Sequence, residues 1–228
     1  PRLVAHYSSA IGQNLDGSEE FIKAYQDESA DFHQIVADMA EISRTQAKTI
    51  NLGLFYGMGK NKLSKELGIS KDKAEILLNK YNSRVPFVKK LAEAVTQSAS
   101  KFGFIRTIKG RKCRFDKWEP ATFGMNQVMN YNEAKANYGN NIRRAFTYKA
   151  LNRLIQGSAA DQAKQAMIEC FKMGYTPLLQ IHDELCFSVY DEKDMKNIKD
   201  CMENAIENLR VPFKVDIELG LNWGETHD

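Results

Sequence analysis

The stretch "RTQAKTINLGLFYG", residues 44–57, carries two cations, a leucine and a tyrosine at a strict four-residue interval. The members of this four-residue row are Arg44, Lys48, Leu52 and Tyr56. Residues four apart advance about 400° around an α-helix and rise about 6 Å, so the row lines one face of a predicted helix. Ala47, Ile50 and Leu54 fall on another face, which we expect to pack into a core.

Two cations one turn apart suit successive phosphates of a triphosphate. Lys48 would act as a point charge and Arg44 as a planar fork of donors. Leu52 and Tyr56, further along the same face, could pack against a sugar and a base. A pair of cations four residues apart is usually explained by an amphipathic helix at the protein surface, where the cations bind no ligand. Only the four-member length of the row favours the phosphate interpretation.

The composition is that of an ordinary globular protein. The chain has 228 residues, of which 43% are hydrophobic and 27% are charged. No apolar run approaches the roughly 18 to 20 residues of a membrane span, so we expect no membrane partner. The four cysteines form no CxxC pair and no zinc-like cluster, which predicts reduced thiols inside a cell and no structural metal.

The net charge of +3 conceals a basic part and an acidic end. Residues 183–228 hold 12 acidic and 5 basic side chains, which leaves a net charge of +10 on residues 1–182. Residues 101–114, "KFGFIRTIKGRKCR", contain six Lys or Arg side chains and no acid. This predicts a phosphate-binding surface, although a solvated turn fits equally well. Its candidate ligands are Arg106, Lys109, Arg111 and Lys112.

A second motif, "LLQIHDELCFSV" at residues 178–189, places three polar residues between two short apolar runs. Asp183 and Glu184 would project with His182 from a tight turn, where Mg²⁺ could bind carboxylate oxygens together with substrate phosphates. Acidic residues are also common in hairpin turns for local hydrogen-bonding reasons. A hydrolase with paired His and Asp ligands fits poorly, since the other three histidines show no partnering spacing.

A third motif, "NRLIQGSAADQAKQAM" at residues 152–167, is predicted to be helical. Asn152 and Gln156 are four apart, so both amides would face one way. They could donate hydrogen bonds to the minor-groove acceptors that every base pair presents. The equally supported alternative is that both residues only cap the helix or lie on its surface without a ligand.

Apolar periodicity predicts helices over most of the chain up to about residue 170, including one continuous pattern over residues 32–57. Four glycines are expected to end helices: Gly57, Gly68, Gly103 and Gly174. Ser70 is expected to be the N-cap of the helix that follows it. Residues 103–115 have the pattern of a hairpin with Gly110 at its turn.

The pattern changes after residue 175. Short strands are predicted within residues 176–181 and 185–190, a helix over 192–209 and a final strand over 213–221. The predicted fold class is α+β, with a helical lobe joined to a small lobe that combines an antiparallel sheet with packing helices.

Together these motifs resemble the C-terminal part of a family A, polymerase I-like DNA polymerase of phage type. The family's pattern Arg-x3-Lys-x3-aromatic-x3-Tyr-Gly is matched along the four-residue row, with Leu52 where the family usually has Phe or Tyr. Its His-Asp-Glu hairpin matches residues 182–184. Further family segments are matched by "RTIKGRK", "NRLIQGSAAD" and "ADFHQ", and the matches run in order from Arg2 to "NWGE" at residues 222–225.

The resemblance implies the right-hand architecture of such polymerases. Residues 1–14 would be a palm segment that follows the first palm strand, residues 15–147 the fingers, and residues 148–228 the palm with the His-Asp-Glu hairpin. The thumb would be absent.

The resemblance also implies nucleotidyl transfer from a dNTP to a primer 3′-hydroxyl with two Mg²⁺ ions. Asp183 would be a metal ligand and Glu184 a supporting carboxylate. Lys48 would neutralise, and could protonate, the leaving pyrophosphate.

Substrate contacts follow from the same resemblance. Arg44 and His33 would hold the outer phosphates, Leu52 would touch the nucleotide sugar, and Tyr56 would lie near the templating base. The DNA-binding residues would be Asn152, Gln156, His182, Arg106, Lys109, Arg111 and Lys112.

One family element is missing from the sequence. The first palm strand, Asp-(Tyr/Phe)-Ser-x-x-Glu-x-Arg, is matched only at its last residue, Arg2, and residues 1–15 hold no carboxylate. We therefore expect an N-terminal fragment or partner chain with the thumb and this strand to complete the enzyme. The alternative is a non-catalytic primer-template or nucleotide-binding module. The expected location is the cytoplasm of a bacterial or phage-infected cell, with an organelle left open.

Overall fold

The computed structural model describes residues 2–10, 15, 18–26, 31–55, 58–122, 124 and 127–226. Helices dominate this part of the chain. They are α1 Arg2–Ala10, α2 Ser18–Gln26, α3 Phe32–Ala40, α4 Arg44–Phe55, α5 Lys60–Leu67, α6 Lys71–Arg84, α7 Pro86–Phe102, α8 Tyr131–Tyr138, α9 Ala150–Lys172 and α10 Glu192–Glu203. None of these helices is long and apolar enough to cross a membrane.

The strands form three separate antiparallel pairs. They are β1 Phe104–Arg106 with β2 Lys112–Arg114, β3 Trp118–Pro120 with β4 Ile142–Arg144, and β5 Leu179–Ile181 with β6 Glu184–Cys186. The predicted α+β class is therefore confirmed as helices combined with small antiparallel sheets. Each sheet is a two-stranded pair, and α9 packs against both α10 and the β1–β2 pair.

The main core lies where α1, α4, α6, α7 and α9 meet. Helix α7 begins at Pro86, whose fixed φ suits a first helical position. Its buried positions recur every three or four residues, at Phe87, Val88, Leu91, Val95 and Ala99. This stripe packs on α9, which crosses the core and carries the candidate DNA-facing amides.

The prediction of one continuous helix over residues 32–57 is wrong, because the helix is interrupted between α3 and α4. Glu41 ends α3 with φ 51°, and its backbone carbonyl accepts a 3.0 Å hydrogen bond from Lys80 Nζ. Ser43 and Gln46 then form a reciprocal cap, with Gln46 N donating to Ser43 Oγ at 3.2 Å and Ser43 N donating to Gln46 Oε1 at 3.1 Å. The break turns the chain back, so that α3 packs along α4.

Most of the other predicted helix limits are confirmed. Gly68 and Gly103 cap α5 and α7 at positive φ, and Gly174 at φ 91° follows the end of α9. The Ser70 hydroxyl caps α6 by accepting a hydrogen bond from Lys73 N at 3.2 Å. Gly110 lies in the β1–β2 turn at φ 78°. The predicted stop at Gly57 lies outside the described residues.

The C-terminal predictions need correction. Residues 213–221, predicted as a strand, form no strand, because no described segment pairs with them. The strands at 176–181 and 185–190 shrink to β5 and β6, and the helix expected over 192–209 ends at Glu203. Asn204 stops that helix, since its side chain donates to the Asp200 carbonyl at 2.8 Å.

Candidate active site

Three members of the four-residue row, Arg44, Lys48 and Leu52, lie on one exposed face of α4. Arg44 and Lys48 are exposed, and Leu52 keeps 42% of its surface accessible. Ala47 and Ile50, on the opposite face, are fully buried. The predicted polar and core faces are therefore confirmed where they are described. The side chain of Leu54, and Tyr56 as a whole, lie outside the described residues.

Asp31 connects α3 to the row. Its Oδ1 caps α3 by accepting hydrogen bonds from His33 N at 2.8 Å and Gln34 N at 3.2 Å. Its Oδ2 accepts from Arg44, at 2.8 Å from Nε and 2.7 Å from Nη2. Burial acts to raise the pKa of Asp31, but the hydrogen bonds from Arg44 and the helix backbone hold it below its usual value.

His33 lies beside Asp31 and Arg44 and is half-buried. Asn51 Nδ2 lies 3.2 Å from His33 Nδ1, and the Tyr81 hydroxyl lies 2.5 Å from Asn51 Oδ1. Burial lowers the pKa of His33, and the charges of Arg44 and Lys48 act in the same direction against the opposing charge of Asp31. His33, Asp31 and Arg44 are therefore brought together through the Asp31 carboxylate.

Sequence analysis missed Asn51 and Tyr81. Both side chains are fully buried, and they come from α4 and α6. A polar amide at position 51, next to the core residue Ile50, is the one sequence signal, because a buried amide needs hydrogen-bond partners. Its partner Tyr81 lies 30 residues further along the chain, so no local sequence pattern indicates the contact.

The His-Asp-Glu motif forms the predicted hairpin turn. Ile181 pairs with Glu184, so His182 and Asp183 make a two-residue turn, with His182 at φ 52°. His182 and Asp183 are exposed.

Glu184 begins β6 and is only half exposed, which corrects the expectation that both carboxylates project freely. Its Oε1 accepts a hydrogen bond from Trp223 Nε1 at 3.1 Å and another from Cys186 Sγ at 3.4 Å. The indole therefore holds one oxygen of this carboxylate, a contact that the sequence did not predict. Cys186 has its pKa raised by burial and by this carboxylate.

The hairpin carboxylates have the chemistry that Mg²⁺ prefers. Asp183 at the exposed turn and the half-exposed Glu184 carboxylate at the start of β6 can offer oxygens while leaving room for water and phosphate. Among the described residues, no group of three or more His, Cys, Asp or Glu side chains could by itself hold a metal ion. Asp183 and Glu184 therefore fit part of a magnesium site.

Cations cluster on the β1–β2 hairpin. Arg106 and Lys112 lie directly opposite each other in the strand register, and both charges approach the Phe104 ring, at 5.4 and 4.7 Å from its centroid. Like charges in opposite positions destabilise a strand pair unless an anion lies between them. This favours the phosphate interpretation of the basic stretch, to which exposed Lys109 also belongs.

Arg111 has a structural contact as well. Its Nη2 lies 2.8 Å from Oδ1 of Asp161, and it also donates to the Gly157 carbonyl at 2.9 Å. Burial acts to raise the pKa of Asp161, but hydrogen bonds from Thr107 and Arg111 keep it below its usual value. The ion pair ties the hairpin to α9, and 51% of the Arg111 side chain remains exposed toward solvent.

The two candidate minor-groove amides lie one turn apart on α9. Gln156 is exposed, whereas Asn152 is half-buried. The amide nitrogen of Asn152 is buried and has no hydrogen-bond acceptor in the described part of the chain. Gly157, next to Gln156, lets the hairpin approach, since a Cβ there would lie 2.8 Å from the Thr107 methyl group.

Comparisons with known proteins agree with these motifs. The sequence model described as DNA polymerase family A matches residues 2–225. The chain belongs to DNA polymerase family A. A DNA-directed DNA polymerase of Pseudomonas phage M6 is 33% identical to this family A chain over 267 aligned residues, which cover 99% of the chain and 37% of that protein. DNA polymerase I of Caldicellulosiruptor bescii is 33% identical over 243 aligned residues, covering 99% of the chain and 25% of that protein.

A solved structure has a fold similar to that of this family A chain. It is described as "POL domain of Pol1 from M. smegmatis complex with DNA primer-template and dNTP", and it matches with a TM-score of 0.73 at 28% identity. The match covers 99% of the chain and 38% of that structure's chain. The chain thus spans well under half the length of these relatives, and the family resemblance seen in its motifs is confirmed.

Proposed function

We propose that this chain is the nucleotide- and metal-binding part of a polymerase that performs template-directed DNA synthesis. The reaction would transfer a nucleotide from a dNTP to a primer 3′-hydroxyl by a two-metal mechanism. The observation that carries the proposal is the exposed row of Arg44, Lys48 and Leu52 on α4, beside Asp31, in a chain matched to family A along nearly its whole length.

Residues 15–147 would act as fingers and residues 148–228 as palm, with residues 1–14 belonging to the palm. The row then faces the incoming nucleotide. Lys48 would hold the leaving pyrophosphate and could donate a proton to it, while Arg44 and His33 would hold the outer phosphates. Leu52 would contact the sugar through its exposed apolar surface, and Tyr56 would lie near the templating base.

Asp183 and Glu184 would hold Mg²⁺, which when bound would activate the primer hydroxyl and neutralise charge on the phosphates. Exposure of Asp183 supports its assignment as the direct ligand. The contact between Trp223 and Glu184 supports a secondary assignment for Glu184, because one of its oxygens already accepts hydrogen bonds.

Primer-template DNA would bind along α9 and the β1–β2 hairpin. Lys109, Lys112 and Arg106 would contact backbone phosphates together with the exposed half of Arg111. Asn152 and Gln156 would contact the minor groove, Gln156 through its exposed side chain and Asn152 after its buried amide nitrogen, which has no acceptor among the described residues, turns outward. His182, at the hairpin turn, would approach the primer end. We further propose the cytoplasm of a bacterial or phage-infected cell as the location.

The proposal includes an N-terminal fragment or partner chain that supplies the thumb and the first palm strand with its aspartate. The test is primer extension with Mg²⁺ and dNTPs, using the 228-residue chain alone and after mixing with a fragment that carries these elements. We expect no extension by the chain alone and extension by the mixture. Robust extension by the chain alone would contradict the need for a partner, and a mixture that binds DNA without extending it would favour a non-catalytic binding module.

A further inference from the structure

His33 is connected to the protein core by a chain of two hydrogen bonds. Asn51 Nδ2 lies 3.2 Å from His33 Nδ1, and the Tyr81 hydroxyl lies 2.5 Å from Asn51 Oδ1. The three side chains come from α3, α4 and α6, which pack together. Asn51 and Tyr81 are both fully buried, so bulk water does not compete for the bond between them, and the His33–Asn51 bond is part-buried.

The direction of the hydrogen bonds follows from the groups involved. The Tyr81 hydroxyl has one hydrogen, and among the described residues its acceptor is Asn51 Oδ1. That bond fixes the Asn51 amide, so its NH₂ group faces His33 and must donate. Nδ1 of His33 then has to accept, which leaves the ring proton on Nε2.

The reversed amide orientation is less favourable. Asn51 would then accept from a protonated Nδ1 and donate to the Tyr81 oxygen. The Tyr81 hydroxyl hydrogen would lose its acceptor inside the core, and a buried donor without an acceptor is costly. Burial also disfavours a charged imidazolium at His33.

We propose that Tyr81 and Asn51 form a buried relay that holds His33 as the Nε2–H tautomer. The tautomer is inferred from the contacts of Nδ1 with Asn51 and of Asn51 with Tyr81, whereas its use rests on the proposed function. In that function Nε2–H would donate to a phosphate oxygen of the incoming nucleotide. Arg44 and Lys48 would then supply the positive charge, and His33 would supply a neutral, directed donor. Asn51 and Tyr81 are positioning residues in this scheme.

The relay is tested by nitrogen NMR of the ¹⁵N-histidine-labelled chain at neutral pH. The protein has four histidines, and His33→Gln assigns the signal of interest. We expect Nδ1 to show the shift of an unprotonated acceptor and Nε2 that of a protonated nitrogen. A protonated Nδ1 with an unprotonated Nε2, or an averaged signal from two exchanging tautomers, would overturn the relay without reference to any variant.

Two substitutions extend the test. Asn51→Asp offers only acceptor oxygens, so it should move the proton to Nδ1 of His33. Tyr81→Phe frees the Asn51 amide to rotate, so the two tautomers should mix. The control is Tyr7→Phe, which removes another phenolic hydroxyl, bonded to Ser158 Oγ at 2.6 Å, and should leave the His33 signals unchanged. Unchanged His33 signals in both relay variants would also overturn the proposal.

The functional arm uses the polymerase completed with its N-terminal part. Loss of the directed donor should raise the nucleotide KM about tenfold in Asn51→Asp and Tyr81→Phe, with a smaller change in kcat and no change in Tyr7→Phe. If the tautomer is as predicted but KM does not change, the assignment of Nε2–H to a phosphate is overturned. If wild-type completed protein synthesises no DNA, the proposed function fails while the NMR result still decides the relay.

Discussion

Asp31 binds the guanidinium of Arg44 through a single carboxylate oxygen, which lies 2.8 Å from Nε and 2.7 Å from Nη2. The other oxygen of Asp31 caps α3. One side chain therefore fixes the start of one helix and the orientation of the first cation on the next. Because both groups are partly exposed, the pair contributes orientation more than stability.

Asp31→Asn separates these two tasks, because asparagine caps a helix about as well as aspartate. We expect a loss of about 0.5 kcal/mol in the free energy of unfolding at pH 7. The folded-state pKa of Asp31 lies below its unfolded value of about 3.9, so the contribution is present above that pH. It is lost as the pH falls through the lower folded value.

Urea unfolding of wild type and Asp31→Asn at pH 7 and near pH 3 checks this prediction. The gap in stability should be present at pH 7 and shrink at the lower pH. Asp38→Asn, the same charge change near the other end of α3, is the control and should show no loss at either pH. A gap that is independent of pH would mean that the effect comes from the cap and not from the charge.

The contact between the β1–β2 hairpin and α9 depends on a missing side chain at Gly157. A Cβ there would lie 2.8 Å from the Thr107 methyl group, which is buried. Gly157→Ala should therefore destabilise the fold by about 1–3 kcal/mol, although alanine is the better helix former.

Thr107→Ser removes the methyl group and keeps the hydroxyl, whose oxygen lies 3.3 Å from the Arg111 carbonyl oxygen. In this background Gly157→Ala should be neutral, or stabilising by up to about 1 kcal/mol. A double-mutant cycle from urea unfolding measures the coupling. Additive effects of the two substitutions would show that the close approach does not limit residue 157.

How far the sequence predicts the site depends on the length of chain that each feature spans. The exposed row and the buried face of α4 follow from helical periodicity alone. The break at Glu41 was missed, although Ser43 and Gln46 have the spacing of a reciprocal cap. Without that break, the contact between Asp31 and Arg44 could not be anticipated.

Tertiary contacts account for the remaining differences. Trp223 reaches Glu184 across 39 residues, and no local pattern encodes such a contact. Residues 213–221 have the alternation of a strand, yet a strand also needs a neighbour to pair with, and sequence periodicity cannot supply one.

Leu52 should govern the choice between deoxy- and dideoxynucleotides. It is exposed on the row where the family usually has an aromatic residue, and it offers no hydrogen-bond donor. The substrate's own 3′-hydroxyl must then make the polar contact, so its loss should cost roughly 1.5 to 3 kcal/mol, or about ten- to a hundredfold in incorporation.

Leu52→Tyr supplies a hydroxyl and should largely remove this discrimination. Leu52→Phe is the matched control, since it adds the ring without the hydroxyl and should change nucleotide affinity without admitting dideoxynucleotides. The measurement is the ratio of incorporation efficiencies for the two substrates in the completed enzyme. Equal ratios for the leucine and tyrosine forms would show that residue 52 does not face the sugar.

Charges on the β1–β2 hairpin should act on DNA binding and not on chemistry. Lys112→Ala should weaken primer-template binding and reduce the dependence of log Kd on log salt by about one unit. The incorporation rate at saturating DNA should not change. Fluorescence anisotropy with labelled primer-template at several salt concentrations measures the slope. Lys62→Ala, at an exposed position of α5, is a control that should leave the slope unchanged.

In the proposed function, Lys48 and Asp183 act in nucleotide transfer itself. The most direct test is the single-turnover rate of nucleotide incorporation by the completed polymerase, with primer-template Kd measured on the same preparations. Lys48→Ala and Asp183→Asn should each lower the rate by about a hundredfold or more while Kd stays at the wild-type value. Wild-type rates in both variants, or a loss of DNA affinity that accounts for the whole change in rate, would contradict the claim.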